Sequence, residues 1–199
     1  PHFKTRASAF AVIDSPLKAK QWEGMGADTL CISAISCNRD FKMLDKIRHS
    51  TSCELQLIVN SSCLPNCPYE LTHMNLLTNG SRAKDSNRGY CFDYCLLTCS
   101  LKRIERPENY IKAVWIRPED IKMYEEMGYN NFKILERSSP AELILKRVKA
   151  YARRSFDGNL MELVAPVANI KKEQNAGIMD RIKMVLKMFR PGKIKIKSL

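Results

Sequence analysis

The chain is poor in the groups that ordinary hydrolases and nucleotide-binding proteins use. Among its 199 residues are only three histidines, His2, His49 and His73. His2 is almost terminal, and His49 falls at the end of a predicted surface helix, so few general bases remain. Neither a G-x-S-x-G elbow nor an H-E-x-x-H pair occurs, which leaves serine-nucleophile and zinc-protease mechanisms little support. No glycine-rich phosphate fingerprint follows any predicted strand, which counts against the usual kinds of nucleotide binding. No run of 18 or more apolar residues occurs, so no membrane span is expected. The opening PHFKTRASAF lacks the apolar core of an export signal and begins with Pro1. The expectation is a cytoplasmic, reducing setting and a chain that is a fragment or a processed product.

Cysteine, by contrast, is plentiful and clustered. Five of the eight cysteines, Cys63, Cys67, Cys91, Cys95 and Cys99, follow the apolar strand-like segment ELQLIVN (residues 54–60). In a reducing compartment such clusters bind metal or do redox work more often than they form disulfides. Pro65 and Pro68 prevent a regular helix around Cys63 and Cys67 and fold that C-x3-C pair into a tight loop. Cys91, Cys95 and Cys99 recur every four residues and would share one face of a helix. Four thiolates drawn from the two stretches fit either an all-cysteine zinc site or a 4Fe-4S cluster. The C-x3-C spacing is less typical of zinc knuckles, and a strand-end position is unusual for structural zinc, so iron–sulfur is the preferred expectation. Zinc and metal-free thiols remain the alternatives. CLPNCPYE also comes near the C-x3-C-x2-C pattern of radical-SAM enzymes, but Glu70 stands where the third thiolate would be. Cys31, Cys37 and Cys53 lie in or beside apolar strands and read as buried, inert thiols.

Strand-like and helix-like segments alternate at steps of about 20 residues. Strands are expected at 7–13, 27–35, 53–60, 113–116 and 131–135. Helices are expected from Pro16 to Gly26, from about Asn38 to Ser50, from Pro118 to Gly128 and from Ser139 to about Arg154. The pattern predicts an α/β fold with a parallel sheet: the carboxyl-terminal portion of a partial (β/α)8 TIM-like barrel over residues 1–166. A cysteine-rich insertion at 61–110 interrupts it. Five strands fall short of eight, so the missing barrel portion would come from upstream sequence or a partner subunit; an open doubly wound sheet is the alternative. Residues 167–199 read as a basic amphipathic tail, with nine Lys or Arg between positions 170 and 199 against Glu173 and Asp180. The formal net charge of +12 is compatible with RNA or a small anionic substrate without identifying either.

Four further residues are substrate-binding candidates. Arg117 and Arg137 follow predicted strands, where a guanidinium can hold a carboxylate or phosphate in two parallel bonds; ion pairing with Glu119, Asp120 or Glu136 is the plainer alternative. Asn60 ends a strand and either faces the mouth or closes a turn. His73 either orients a substrate or is an ordinary helix histidine. Asp14 reads as a cap for the first helix.

The stretches NSSCLPNCPYELTHMN (60–75), DSNRGYC (85–91) and WIRPEDIKMYEEMGYNNFKILER (115–137), in that order and spacing, resemble the peptidase U32 family, the collagenase-like proteases. The resemblance extends from about Ser8, through NRDF (38–41), to about Arg154. It implies a β/α-barrel core bearing a cysteine-bound 4Fe-4S cluster. Some relatives support hydroxylation of RNA bases or of ubiquinone precursors rather than peptide cleavage. Here the first cysteine pair is closer than in better-characterised members, Leu96 rather than Arg follows Cys95, and Cys99 is extra. The expected ligands are therefore Cys63, Cys67, Cys95 and Cys99, with Cys91 as the substitute. The expected activity is a redox or hydroxylation-type modification of RNA or a small anionic substrate. A U32-type peptidase and a zinc-stabilised RNA-binding module are the alternatives.

Overall fold

The computed structural model describes residues 3–72, 75, 99, 105–106, 108–135 and 139–164. At its centre is a parallel sheet in which spatial order equals chain order. Strand β1 (Arg6–Ala7) pairs with β2 (Thr29–Cys31), β2 with β3 (Glu54–Ile58), and β3 with β4 (Asn131–Lys133). The expected α/β class with a parallel sheet is therefore observed.

The two faces of the sheet differ because the strands alternate. Leu30, Leu55, Leu57 and Phe132 share one face, and the first three are almost wholly buried. Each such leucine contributes about 1.5–3 kcal/mol through burial. The main core joins this face to Ala19 of helix α1 (Pro16–Gly24), to Leu44 and Ile47 of α3 (Phe41–Arg48), and to Ile121, Tyr124, Tyr129 and Tyr151. Polar side chains occupy the opposite face near the strand starts. There Thr29 and Asn131 both donate to Glu54, and Gln56 donates to Asn131 at 2.7 Å. Toward the strand ends that same face becomes apolar, with Cys31, Ile58, Ala9, Ala34 and Val114 forming a smaller cluster against which Cys63 and Leu135 pack.

Local chemistry sets the helix ends. Ser15 accepts the Lys18 N–H and caps α1, and Pro16 sits at the first helical position, where its missing N–H costs no helix bond. Asp14 is not the cap expected of it. A helix-start carboxylate is not needed where Ser15 is in place, and Asp14 instead takes the Lys18 ammonium at 2.9 Å. Asp40 caps α3 by accepting from the Met43 N–H. Gly128 ends helix α5 (Ile121–Glu126) with φ +87°, and a Cβ there would meet the Arg48 side chain at 3.1 Å. Between α3 and α5 lies α4 (Glu108–Lys112), and α6 (Ala141–Arg153) closes on Arg154 in the left-handed region.

Two strand expectations need correction. Residues 113–116 form no strand. The edge of β3 beside them is already occupied by β4, so this apolar run makes only end contacts: the Val114 N–H donates to the Cys63 carbonyl and the Ile116 N–H to the Val59 carbonyl. Ala113, Val114 and Ile116 are buried all the same. The first strand is broken: after Ala7 the chain makes a 3-10 turn at Ala9–Ala11, passes through Val12 at φ 46°, and touches the sheet again only at the Ile13–Ile32 bridge. The chain thus has four strands among the described residues where five were expected. Most of the insertion at 61–110 and all of the tail at 167–199 lie outside the described residues.

Candidate functional site

The carboxyl ends of the strands collect the polar and thiol groups. Asp14 follows the Ile13 bridge, Ser33 follows β2, and Asn60, Ser61, Ser62 and Cys63 follow β3. In parallel α/β folds this is the end at which ligands bind, because loops leaving it are free to diverge while the sheet holds their roots.

Asn60 is fully buried, and its amide acts as a surrogate peptide group. Its Nδ2 donates to the Leu135 carbonyl at 3.0 Å, and its Oδ1 accepts the Leu135 N–H at 2.7 Å. These bonds extend the β3–β4 ladder beyond Ile58. Both sides of the amide are engaged by the backbone. Asn38, also fully buried, does a similar job from the end of α2 (Ala34–Cys37): its Nδ2 donates to the carbonyls of Ile58 at 2.7 Å and Val114 at 2.9 Å. The Tyr151 hydroxyl reaches from α6 to the carbonyls of Val59 and Ile116. Sequence reasoning missed Asn38 and Tyr151 because their partners are dozens of residues away.

Cys63 is half-buried against the apolar cluster, with its N–H donating to Ser61 Oγ at 3.4 Å. The loop that follows is pinned at Asn66, which adopts φ 52° and donates its N–H to the Ile35 carbonyl. Cys67 is also half-buried. Burial raises its thiol pKa, the Tyr69 N–H opposes that rise, and Cys63, Cys99 and Glu70 lie near enough to add to it. Cys99 therefore comes within electrostatic reach of Cys67 although 32 positions separate them in the sequence. None of the described cysteines forms a disulfide. Among the described residues no three His, Cys, Asp or Glu side chains stand close enough to hold one metal ion. Cys91, Cys95, His73 and Arg137 lie outside the described residues.

Arg117 is exposed and forks onto Asp120, with Nε donating at 2.8 Å and Nη2 at 2.6 Å. That hydrogen bond, reinforced by the charge of Asp120, raises the guanidinium pKa further. Glu70 is the opposite case, a carboxyl 9% exposed whose side-chain donor is Ser33 Oγ at 3.3 Å. Burial raises its pKa; the Ser33 bond lowers it, Asp14 raises it and Lys18 lowers it. The Ser33–Glu70 pair was not read from the sequence, though the place of Glu70 three residues after Cys67 marked it as lying in the loop.

Over 161 residues the chain is 36% identical to the uncharacterized protease MJ1657 of Methanocaldococcus jannaschii, a match covering 81% of this chain and 47% of that protein. This likeness supports membership of the peptidase U32 family. It spans about half the length of this curated relative. No family model matches the sequence. The chain is also similar to the solved structure of the U32 peptidase Mk0906, with 21% identity and a TM-score of 0.42 over 70% of this chain and 49% of that one. Among the described residues no helix is long and apolar enough to cross a membrane.

Proposed function

We propose that this chain is the carboxyl-terminal part of a β/α barrel that holds a 4Fe-4S cluster at the strand ends and serves a redox or hydroxylation-type modification of RNA or a small anionic substrate. The observation that supports the reading is that Cys63 and Cys99, half-buried thiols from two distant stretches, both come within electrostatic range of Cys67, although the three do not stand close enough to share one metal ion. Soft thiolates at such a site suit iron–sulfur chemistry. In chemical type the donors suit the group: Cys63, Cys67, Cys95 and Cys99 would hold the cluster, with Cys91 in reserve. The consecutive strand order supports the barrel, since doubly wound sheets reverse order at a switch point. Its remaining strands would come from a further part of the protein or a partner subunit.

When bound, a 4Fe-4S cluster supplies one-electron redox chemistry. The chain's own residues fix the thiol loop to the sheet. The Ile35 carbonyl holds Asn66, Val114 holds the Cys63 carbonyl, and Asn38 ties Val114 to the end of β3. Arg117 and Arg137 would bind the anionic substrate, Arg117 by exchanging Asp120 for a substrate carboxylate or phosphate. A peptidase function is the second reading, favoured by the names of both relatives. A zinc-stabilised RNA-binding module is the third.

Metal analysis after anaerobic purification separates the three. The proposal expects a brown protein with about four irons and four sulfides per chain. About one zinc per chain would support the binding module. A colourless, metal-free protein that cleaves peptides would support the peptidase. Either result would overturn the cluster reading.

A further inference from the structure

Two buried side-chain oxygens among the described residues have no hydrogen-bond partner, Asn38 Oδ1 and Gln56 Oε1. Buried polar groups are nearly always paired, so each such atom marks a place where a donor belongs. Asn38 stands at the strand ends, bonded to the Ile58 and Val114 carbonyls. Gln56 lies within the sheet and is 4% exposed. A chain of bonds fixes its orientation. Gln56 Nε2 donates to Asn131 Oδ1 at 2.7 Å, and Asn131 Nδ2 donates to Glu54 Oε1 at 2.9 Å. Turning the Gln56 amide over would set two oxygens against each other. Turning Asn131 as well would set its oxygen against the Glu54 carboxylate. That carboxylate therefore fixes Gln56 Oε1 as the far end of the series, an acceptor only.

The surrounding charges select the donor. Register puts Arg6, Thr29 and Glu54 in one row of this sheet face, Cys31, Gln56 and Asn131 in the next, and Ile58 and Lys133 in a third. Valine, isoleucine and leucine normally fill a β/α-barrel interior, and the first two rows hold none of them. Burial raises the pKa of the Cys31 thiol beside Gln56, while Lys133, Arg6 and the Ala9 N–H oppose the rise. Arg6 and Lys4 also lie within electrostatic range of Glu54. Three cations thus face one carboxylate. A cationic donor is repelled by this balance, whereas a hydroxyl carried on an anion is drawn in. We infer that the sheet face around Gln56 binds a small hydroxylated anion, its hydroxyl donating to Gln56 Oε1 and its phosphate or carboxylate group lying between Arg6 and Lys133. Arg6 is exposed and Lys133 half-buried, so the charged end of the ligand stays near solvent while the hydroxyl meets the buried amide. No residue of the thiol loop takes part, so anion binding and iron content are separate observables.

The test is isothermal titration calorimetry of the full chain at constant ionic strength, with glycerol phosphate and glycerate as probes. One saturable site per chain is expected for at least one of the two. Sulfate, which has no donor, and glycerol, which has no charge, should each bind at least ten-fold more weakly. Gln56→Met keeps the side-chain length and removes the acceptor; it should weaken the probe at least ten-fold and leave sulfate unchanged. Lys133→Met should weaken probe and sulfate together, and Lys122→Met, at an exposed helix position, should alter neither. A further readout needs no variant: in nuclear magnetic resonance of the isotopically labelled parent chain, the Gln56 side-chain amide signal should shift as the probe is added. No saturable site for either probe, sulfate bound as tightly as the probe, equal probe affinity in Gln56→Met, or a stationary Gln56 signal would overturn the inference and leave the acceptor to solvent alone.

Discussion

Asn60, just past β3, and Arg117, just past the 113–116 run, have opposite relations to the rest of the chain. Arg117 finds its partner three residues on, at Asp120, and that pairing was one of the alternatives readable from the sequence. Asn60 pairs with Leu135, 75 positions away, and no local pattern announces it. The amide has a matched donor and acceptor on one backbone unit, so Asn60→Asp removes a donor and sets a carboxylate against the Leu135 carbonyl. That substitution is expected to lower unfolding stability by about 1–3 kcal/mol, measured by urea denaturation. A loss below a few tenths would mean that the bond does not hold the strand ends together. Exposed Arg117 should behave differently, since surface ion pairs are worth about 0–1 kcal/mol.

Elements were legible where chemistry is local. Ser15 with Pro16, Asp40 before Phe41, and Gly128 after Met127 mark helix ends by capping, fixed φ or positive φ, and the structure has helices ending at or close to each. Residues 113–116 were read as a strand because a short apolar run does not say which edge is open to it. β4 holds that edge, and the run is instead stitched to the end of β3 by backbone bonds, by Asn38 and by the Tyr151 hydroxyl from α6. The stitching has a consequence. Tyr151→Phe keeps the ring in the core and removes one donor from two buried carbonyls. It should lower stability by about 1 kcal/mol and speed amide exchange at Ile116 relative to Leu57. Equal protection at Ile116 in the variant would show that the backbone bonds alone hold this segment.

At the scale of the whole molecule, the parallel class followed from alternation, whereas the asymmetry of the sheet did not. One face packs on the helices, and the other carries the Thr29–Glu54–Asn131–Gln56 series and then the apolar patch under Cys63. Alternation along β2 and β3 is blurred because Thr29 and Gln56 are buried as well as polar. Glu54 links this face to pH. Its bonds from Asn131 and Thr29 hold its carboxyl below the usual range. The stabilisation is therefore present above the unfolded-state value and is lost as pH falls through the lower folded one. Glu54→Gln should flatten the acid side of a plot of unfolding temperature against pH, and an unchanged slope would contradict the assignment.

The joining of the two cysteine stretches is the claim on which the functional reading depends, and iron content across single cysteine variants tests it most directly. Cys63→Ser, Cys67→Ser and Cys99→Ser, purified anaerobically, should each lose most of the iron, while Cys53→Ser, at a thiol that donates to the Ala27 carbonyl, should retain it. Full iron in all three of the first group, or iron lost equally from Cys53→Ser, would contradict the account.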